Sequence, residues 1–233
     1  MKITSQNEIL KSAYISLAVQ LIIGLIGIHG ILIPLNKKDG ILTNIMILET
    51  IVQFIELTFY IWLTMQLSKL TYDVTYTRYF DWFLSTPIML LTTVFFMEYL
   101  AYANTSKIIT IKNILKTDFY RIIKIIIANF FMLLGGFLGE RKVISRINGF
   151  IFGTLAFLYS FYLIYERFVG NELINNILFF TMFIIWALYG VAYLFPYITK
   201  NTMYNILDIF SKNFYGLFIY FIILQRSNYF KEN

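Results

Sequence analysis

Apolar residues dominate the chain in seven long runs, which short polar or charged segments separate. The runs cover residues 12–33, 42–67, 75–99, 119–138, 147–168, 174–198 and 202–225. Each run reaches the roughly 20 residues that an α-helix needs to cross the hydrocarbon core of a bilayer. Because a segment in lipid must satisfy its own backbone hydrogen bonds, the runs predict helices. The pattern therefore predicts an all-α membrane protein, a single domain over residues 1–233 built as a seven-transmembrane-helix bundle.

Composition agrees with a membrane protein. Of the 233 residues, 59% are hydrophobic and 14% are charged, and the mean hydropathy is +0.70. A soluble domain of this length needs more polar residues to cover its core. The polar start "MKITSQNEIL" leads directly into a full-length apolar run, so we expect no cleavable signal peptide. We expect an integral, multi-pass protein of a plasma or host-cell membrane, surrounded by membrane lipid.

Positive charges are distributed unequally between the two sides of the predicted bundle. With seven spans, the side of the C-terminus carries Lys37, Lys38, Lys107, Lys112, Lys116, Arg121, Lys124, Arg167, Arg226 and Lys231. The other side carries Lys2, Lys11, Lys69, Arg141, Lys142, Arg146 and Lys200. This difference favours an extracellular N-terminus and a cytoplasmic C-terminus. A basic membrane face beside anionic lipid accounts for the net charge of +6, so we expect no nucleic-acid partner.

The longest break between runs contains "TSKIITIKNILK", in which lysines alternate with isoleucine and leucine. This pattern is typical of an amphipathic helix lying at the cytoplasmic interface, here over residues 105–117. A solvated loop explains the same pattern equally well. Both interpretations stay open on the sequence.

Two apolar runs carry charges that lipid cannot stabilise. Arg78 and Asp81 lie in "RYFDWFLSTP", and Asp208 and Lys212 lie four residues apart in "LDIFSKN", on one face of a helix. A charge inside a membrane usually has a partner and a function. One interpretation is a structural ion pair. The other is a Schiff base, which a buried lysine forms with carbonyl compounds and which nearby carboxylates keep protonated.

Together these segments resemble the third and seventh helices of microbial rhodopsins, the retinal-binding seven-helix proteins. The resemblance rests on Arg, Asp, Trp and Thr-Pro in the first segment, followed by Asp and Lys four apart in the second. It extends along the whole chain, weakly in the first run and strongly in the third, sixth and seventh. The resemblance implies all-trans retinal as the cofactor, covalently bound to Lys212.

The resemblance also implies the other residues of the retinal site. Asp81 would be the primary counterion, Asp208 the second counterion, and Arg78 would lie on their extracellular side. Tyr60 and Tyr189 would donate hydrogen bonds to Asp208. The side chains expected around retinal are Trp82, Thr86, Met89, Met132, Gly136, Phe157, Trp186 and Tyr189.

The third helix departs from the pattern of outward proton pumps in this family. Those pumps carry aspartate, threonine and a second carboxylate as proton acceptor, its partner and proton donor, whereas this chain has Asp81, Ser85 and Thr92. Thr92 cannot donate a proton at neutral pH, and Lys200 stands where an extracellular glutamate is expected. We therefore expect slow return of the proton and no efficient outward pumping.

The second helix favours an ion pathway instead. Glu49, Gln53, Glu56 and Tyr60 recur at spacings that place them on one face of this helix. Two carboxylates and an amide are stable inside a membrane if they face water or protein. Glu56 and Asn213 align with the central-gate pair of channelrhodopsins, and the candidate third members are Ser12, Ser16 and Gln20. A polar zipper between helices is the alternative interpretation.

These features predict a light-gated cation channel, because an acidic lining favours cations. Ser85 would lie on the ion pathway, and Thr86 with Asn129 would couple the third and fourth helices. The short chain, rich in Ile, Asn, Lys, Tyr and Phe, also resembles the channel-like rhodopsins of large DNA viruses. The alternatives are an outward proton pump and a sensory rhodopsin that signals through a partner. We expect transport of cations and protons and a homo-oligomer, and neither enzymatic activity nor a metal site.

Overall fold

The apolar runs form seven membrane-length helices in the computed structural model, which describes residues 2–67, 73–103 and 105–227, with side chains from residue 6 onward. The predicted all-α, seven-span fold class is confirmed. The helices are α1 (Lys2–Leu32), α2 (Gly40–Gln66), α3 (Arg78–Tyr102), α4 (Ile111–Glu140), α5 (Arg146–Ile164), α6 (Leu173–Tyr193), α7 (Tyr197–Asp208) and α8 (Phe214–Arg226). We call the side of the bundle at which α8 ends the C-terminal side, and the opposite side the N-terminal side.

Three short turns of other helical types extend these helices. A 3₁₀ turn, Thr75–Thr77, leads into α3, and a π turn, Tyr165–Val169, follows α5. A second π turn, Ile209–Asn213, joins α7 to α8, so that the seventh span runs from Tyr197 to Arg226. Such π turns interrupt the regular hydrogen-bond ladder and are frequent at functional sites. Lys212 lies in this second π turn.

The boundary between the sixth and seventh spans differs from the predicted one. α6 ends at Tyr193 rather than near residue 198, and α7 begins at Tyr197 rather than near residue 202. Pro196 precedes the first residue of α7. Proline has no backbone N–H and is tolerated there, because the first turn of a helix leaves its N–H groups unpaired.

The predicted interfacial segment 105–117 is helical only from Ile111, where α4 begins. The Thr110 hydroxyl caps this helix by accepting a hydrogen bond from the backbone N–H of Asn113 at 3.2 Å. Asp118 then leaves the helical conformation (φ −114°, ψ 21°), so residues 111–117 form a kinked extension of α4. The predicted break residues Lys69 and Lys231 lie outside the described residues, as does the side chain of Lys2.

Glycines let α4 and α5 approach each other closely. A Cβ atom on Gly149 would lie 2.7 Å from the backbone oxygen of Gly135, and one on Gly153 would lie 3.1 Å from that of Met132. Small residues at membrane helix contacts permit such backbone proximity. Larger side chains here would push α5 away from α4.

The interior divides into an apolar and a polar part. On the C-terminal side, α2, α3 and α8 contribute buried apolar side chains that include Leu42, Ile45, Met46, Phe95, Phe96, Ile219 and Ile223. Farther toward the N-terminal side, α1, α2, α3 and the seventh span meet through buried polar and charged side chains. The charged functional candidates lie in this polar part.

Candidate functional site

Lys212 lies among three carboxyl groups at the centre of the bundle. Its Nζ atom is 2.8 Å from Glu56 Oε1, 3.0 Å from Asp81 Oδ2 and 3.5 Å from Asp208 Oδ1. All four side chains are buried. The sequence predicted the two aspartates beside this lysine but assigned Glu56 to a gate. The structure makes Glu56 the carboxylate nearest to the amine.

Arg78 adds a second cation to this cluster. Its Nη1 atom lies 3.6 Å from Asp208 Oδ2, and its Nε–H donates to Asn201 Oδ1 at 3.0 Å. The cluster thus holds two cations and three carboxyl groups inside the membrane-spanning region. A buried net charge is costly unless it is compensated. The cluster is therefore most stable when one of its carboxyl groups carries a proton.

Two tyrosines hold Asp208 in place. Tyr60 donates a hydrogen bond to Asp208 Oδ2 at 2.7 Å, and Tyr189 donates one to Oδ1 at 2.7 Å. Both predicted contacts are present. Asn201 and Asn205, which sequence reasoning missed, are hydrogen-bonded to Arg78 on the same face of the seventh span. Their positions seven and three residues before Asp208, on the same helical face, were the available signal.

An apolar cavity of about 360 Å³ extends from the Lys212 amine between α3, α4, α5 and α6. Every side chain predicted to surround retinal lines it: Trp82, Thr86, Met89, Met132, Gly136, Phe157, Trp186 and Tyr189. Tyr79 and Tyr204, which were not predicted, also line it. A long apolar polyene with one aldehyde end fits this chemistry, because aromatic walls clamp the polyene and an amine stands at one end.

The polar face of α2 points into the bundle. Glu49, Gln53 and Glu56 are 0%, 1% and 0% exposed. Gln20 Nε2 donates to Glu56 Oε2 at 2.5 Å, and Gln53 Nε2 donates to the backbone oxygen of Lys212 at 3.2 Å. Of the three candidates on the first helix, the structure therefore pairs Gln20 with Glu56. Ser12 and Ser16 instead contact Asn205 of α7.

The expected hydrogen bond between Glu56 and Asn213 is absent, so this detail of the predicted gate is wrong. Asn213 is 2% exposed, and neither its amide nitrogen nor its amide oxygen has a hydrogen-bond partner among the described residues. Glu56 is bonded to the ammonium of Lys212 instead, and a charged donor makes the stronger bond. Consecutive residues of a helix also point in directions about 100° apart, so Asn213 cannot follow Lys212 toward Glu56.

Two further predicted residues, Ser85 and Thr86, lie on α3. Asn129 Nδ2 donates to Thr86 Oγ1 at 2.8 Å, so the predicted α3–α4 contact is present. Ser85 is fully buried, and its hydroxyl has no hydrogen-bond partner in the part of the chain that the structure describes.

Lys200, which stands where the sequence analysis expected a glutamate, is ion-paired with Glu140 at 2.7 Å. Sequence reasoning missed this pair because its members lie on different helices.

A partly buried charge cluster lies on the C-terminal side. Arg167, in the π turn after α5, is 2.6 Å from Glu98 Oε1 and 2.9 Å from Asp118 Oδ2. These contacts tie α3 and the kink of α4 to the end of α5. The cluster is distant in sequence from the Lys212 site and was not predicted.

The chain is similar to known proteins over most of its length. It matches the model of the family described as "Bacteriorhodopsin-like protein" over residues 11–225. The green-light absorbing proteorhodopsin of Gamma-proteobacterium EBAC31A08 is 25% identical over 171 residues, which cover 65% of this chain and 62% of that protein. The match thus spans less than two thirds of this curated relative.

Solved structures resemble the chain more completely. The viral rhodopsin OLPVRII superposes with a TM-score of 0.82 and 30% identity, covering 93% of this chain and 98% of that one. The blue light-absorbing proteorhodopsin from Med12 superposes with a TM-score of 0.72 and 20% identity, covering 93% and 96%. The second likeness concerns the fold alone.

Proposed function

This chain belongs to the bacteriorhodopsin-like protein family, and we propose that it is a photoreceptor that conducts cations across the membrane when illuminated. Membership of the family implies a retinal chromophore. Our proposal adds that all-trans retinal is bound covalently through Lys212. The observation that carries the channel proposal is the fully buried polar face of α2, formed by Glu49, Gln53 and Glu56.

This polar face supports an ion pathway because of what it packs against. Gln20 of α1, Thr92 of α3 and the Lys212 turn of the seventh span all make hydrogen bonds to it. A row of carboxyl and amide groups enclosed by helices, rather than lipid, gives a permeating ion oxygen ligands along the bundle axis. Because the row is acidic, it selects cations over anions.

The Lys212 site can couple light to this pathway. When bound, retinal supplies light absorption and a light-driven change of shape. Lys212 Nζ holds a positive charge that Glu56, Asp81 and Asp208 stabilise. A proton that moves from Nζ to Asp81 Oδ2 removes the cation to which Glu56 is paired. Glu56 then loses its strongest partner. Its hydrogen bond with Gln20, which we propose blocks the ion pathway in the dark, is then free to rearrange.

We expect photocurrents that reverse sign near the equilibrium potential of the permeant cation. The measurement is whole-cell voltage clamp under illumination, with the external cation exchanged to identify what permeates. Lys212→Ala is the control and should give no photocurrent. Currents that stay outward at every accessible voltage would support a proton pump instead, and an intact pigment without current would support a sensory rhodopsin.

A second expected result concerns Gln20 and Glu56, whose side chains are in contact. Gln20→Leu and Glu56→Gln should each change the closing rate of the photocurrent, and their effects should be non-additive. Residues in contact typically show coupling of about 0.5–3 kcal/mol in a double-mutant cycle. The matched control is Asn213→Ala with Glu56→Gln, which should be additive because these side chains are not in contact. Coupling in the Asn213 cycle alone would contradict the structural assignment.

A further inference from the structure

Arg167, in the π turn that follows α5, connects this helix to α3 and α4. Its Nε and Nη2 atoms donate to the two carboxylate oxygens of Asp118 on α4, each at 2.9 Å. Its Nη1 atom donates to Glu98 Oε1 on α3 at 2.6 Å. The side chains of Glu98 and Asp118 are only 8% and 9% exposed. Because the guanidinium is planar, these three hydrogen bonds fix the direction of each contact as well as its distance.

A buried asparagine extends this network to α6. Asn175 lies in the first turn of α6, and its Nδ2 atom donates to the backbone oxygen of Met97 at 3.2 Å and to that of Phe168 at 3.3 Å. Met97 and Phe168 are the chain neighbours of Glu98 and Arg167. The contacts of Arg167 and Asn175 therefore form one continuous network, which joins α3, α4, α5 and α6. We call the four side chains involved the end network: Glu98, Asp118, Arg167 and Asn175.

Two irregular stretches of backbone meet in the end network. Asp118 leaves the helical conformation within α4, and Arg167 lies in a π turn. Interruptions of the regular hydrogen-bond ladder are the places where a helix bends. Residues 170–172 alone connect the π turn to α6, so a movement of the turn carries α6 with it. The bonds between Arg167 and Asp118 therefore hold together the two positions at which these helices bend most easily.

The four joined helices are also the four that enclose the apolar cavity. Gln20 and Glu56, whose contact we propose as the gate, lie on α1 and α2 in the other half of the bundle. A change of shape within the cavity can be absorbed in two ways. The C-terminal-side ends of α5 and α6 can move outward, or the Lys212 turn can be displaced toward Glu56. Helix ends that are bound to one another close the first route and leave the second.

We propose that Arg167 is a positioning residue, which holds α3, α4, α5 and α6 together so that a light-driven change in the cavity displaces the Lys212 turn instead of α6. This role rests on the proposed retinal linkage at Lys212 but not on the channel. The neighbouring ion pair of Arg121 and Glu166 provides a matched control. It joins α4 to the same π turn, but its side chains are 31% and 46% exposed. Exposed ion pairs of this kind contribute little.

The first test measures the distance between α4 and α6 with two spin labels. The chain contains no cysteine, so labels attach only to cysteines that are introduced, here Tyr120→Cys and Ile177→Cys at exposed positions. The distance should be the same in the dark and in the light while Arg167 is present. In Arg167→Gln it should lengthen by several ångström under illumination, and in Arg121→Gln it should stay constant. A light-induced change already present with Arg167, or none in Arg167→Gln, would overturn the proposal.

A second variant keeps the test informative if Arg167→Gln fails to fold. Asp118→Asn removes one carboxylate and preserves the pair of Arg167 with Glu98. It should form the visible pigment and show the same light-induced lengthening, because the double contact to α4 needs both oxygens of the carboxylate. Arg167→Lys, whose ammonium cannot bond both oxygens in that planar geometry, should show an intermediate lengthening. A constant distance in Asp118→Asn would also overturn the proposal.

Photocurrents distinguish this proposal from the channel proposal. Arg167→Gln should keep the visible band but lose most of the photocurrent, and Arg121→Gln should keep both. A full photocurrent in Arg167→Gln would overturn the positioning role. Light-induced lengthening confined to the Arg167 and Asp118 variants, in a protein that gives no photocurrent in its unmodified form, would reject the channel and keep the positioning role.

Discussion

Lys212→Ala should abolish the visible absorption band that forms when all-trans retinal is added to the protein. A covalent pigment needs an amine at the end of the apolar cavity, and Lys212 is the lysine that lines it. Without this amine, no lysine lines the pocket to form a Schiff base with the aldehyde. The measurement is the absorption spectrum after reconstitution, followed by a test of whether denatured protein retains the chromophore.

Lys200→Ala is the matched control for this prediction. Lys200 is also buried, at 3% exposure, but it is ion-paired with Glu140 and does not line the cavity. The control should keep the visible band. Adding a preformed Schiff base of retinal with a short alkylamine to Lys212→Ala should restore a band without a covalent link, which shows that the pocket is folded. A normal covalent pigment in Lys212→Ala would disprove the assignment.

Neutralising a carboxylate beside Lys212 should have the second largest effect. In Asp81→Asn, the protonated pigment loses an anion that lies 3.0 Å from Nζ in the structure. Its visible band should shift to longer wavelength, and it should disappear at a pH roughly 2 units lower. Removing one partner of a buried ion pair costs about 3–5 kcal/mol. Because one pKa unit corresponds to about 1.4 kcal/mol, this cost lowers the pKa of the protonated pigment by roughly 2 units or more.

Glu56→Gln is the informative comparison for this titration. Because Glu56 Oε1 is 2.8 Å from Nζ, its neutralisation should also shift the band. Glu140→Gln removes a buried carboxylate that is paired with Lys200 and should leave the band unchanged. An effect in Glu56→Gln with none in Asp81→Asn would make Glu56 the primary counterion. Absorbance measured against pH for the three variants decides whether Asp81 or Glu56 is the primary counterion.

This comparison matters because Glu56 has two partners with different functions. Its Oε1 atom faces the amine that would carry retinal, and its Oε2 atom accepts from Gln20. One carboxylate therefore links the charge on Lys212 to the contact between α1 and α2. Loss of the charge on Lys212 therefore changes the α1–α2 contact directly, because Glu56 alone connects the two. This direct link is the physical basis of the gating that we propose.

The cluster around Lys212 was largely predictable from the sequence because its signals are local. Asp208 and Lys212 lie four apart on one helix, and Arg78 and Asp81 lie three apart on another. Charges in membrane-length apolar runs require partners, so these two pairs were expected to meet. The aromatic and small residues of the cavity followed from the family resemblance. Tyr79 and Tyr204 were missed because a lining tyrosine does not differ in sequence from one that packs elsewhere.

The sequence by itself determined the class of the protein, its seven spans and the residues that carry the chemistry. Run length and residue spacing decide these features, and both are properties of a continuous segment. Only the tertiary structure decided the partners of Glu56 and Glu49. Glu56 meets Gln20 and Lys212 across sequence separations of 36 and 156 residues, and Glu49 meets Thr92 across 43. The rotation of each helix about its own axis selects these partners, and packing against neighbouring helices sets that rotation.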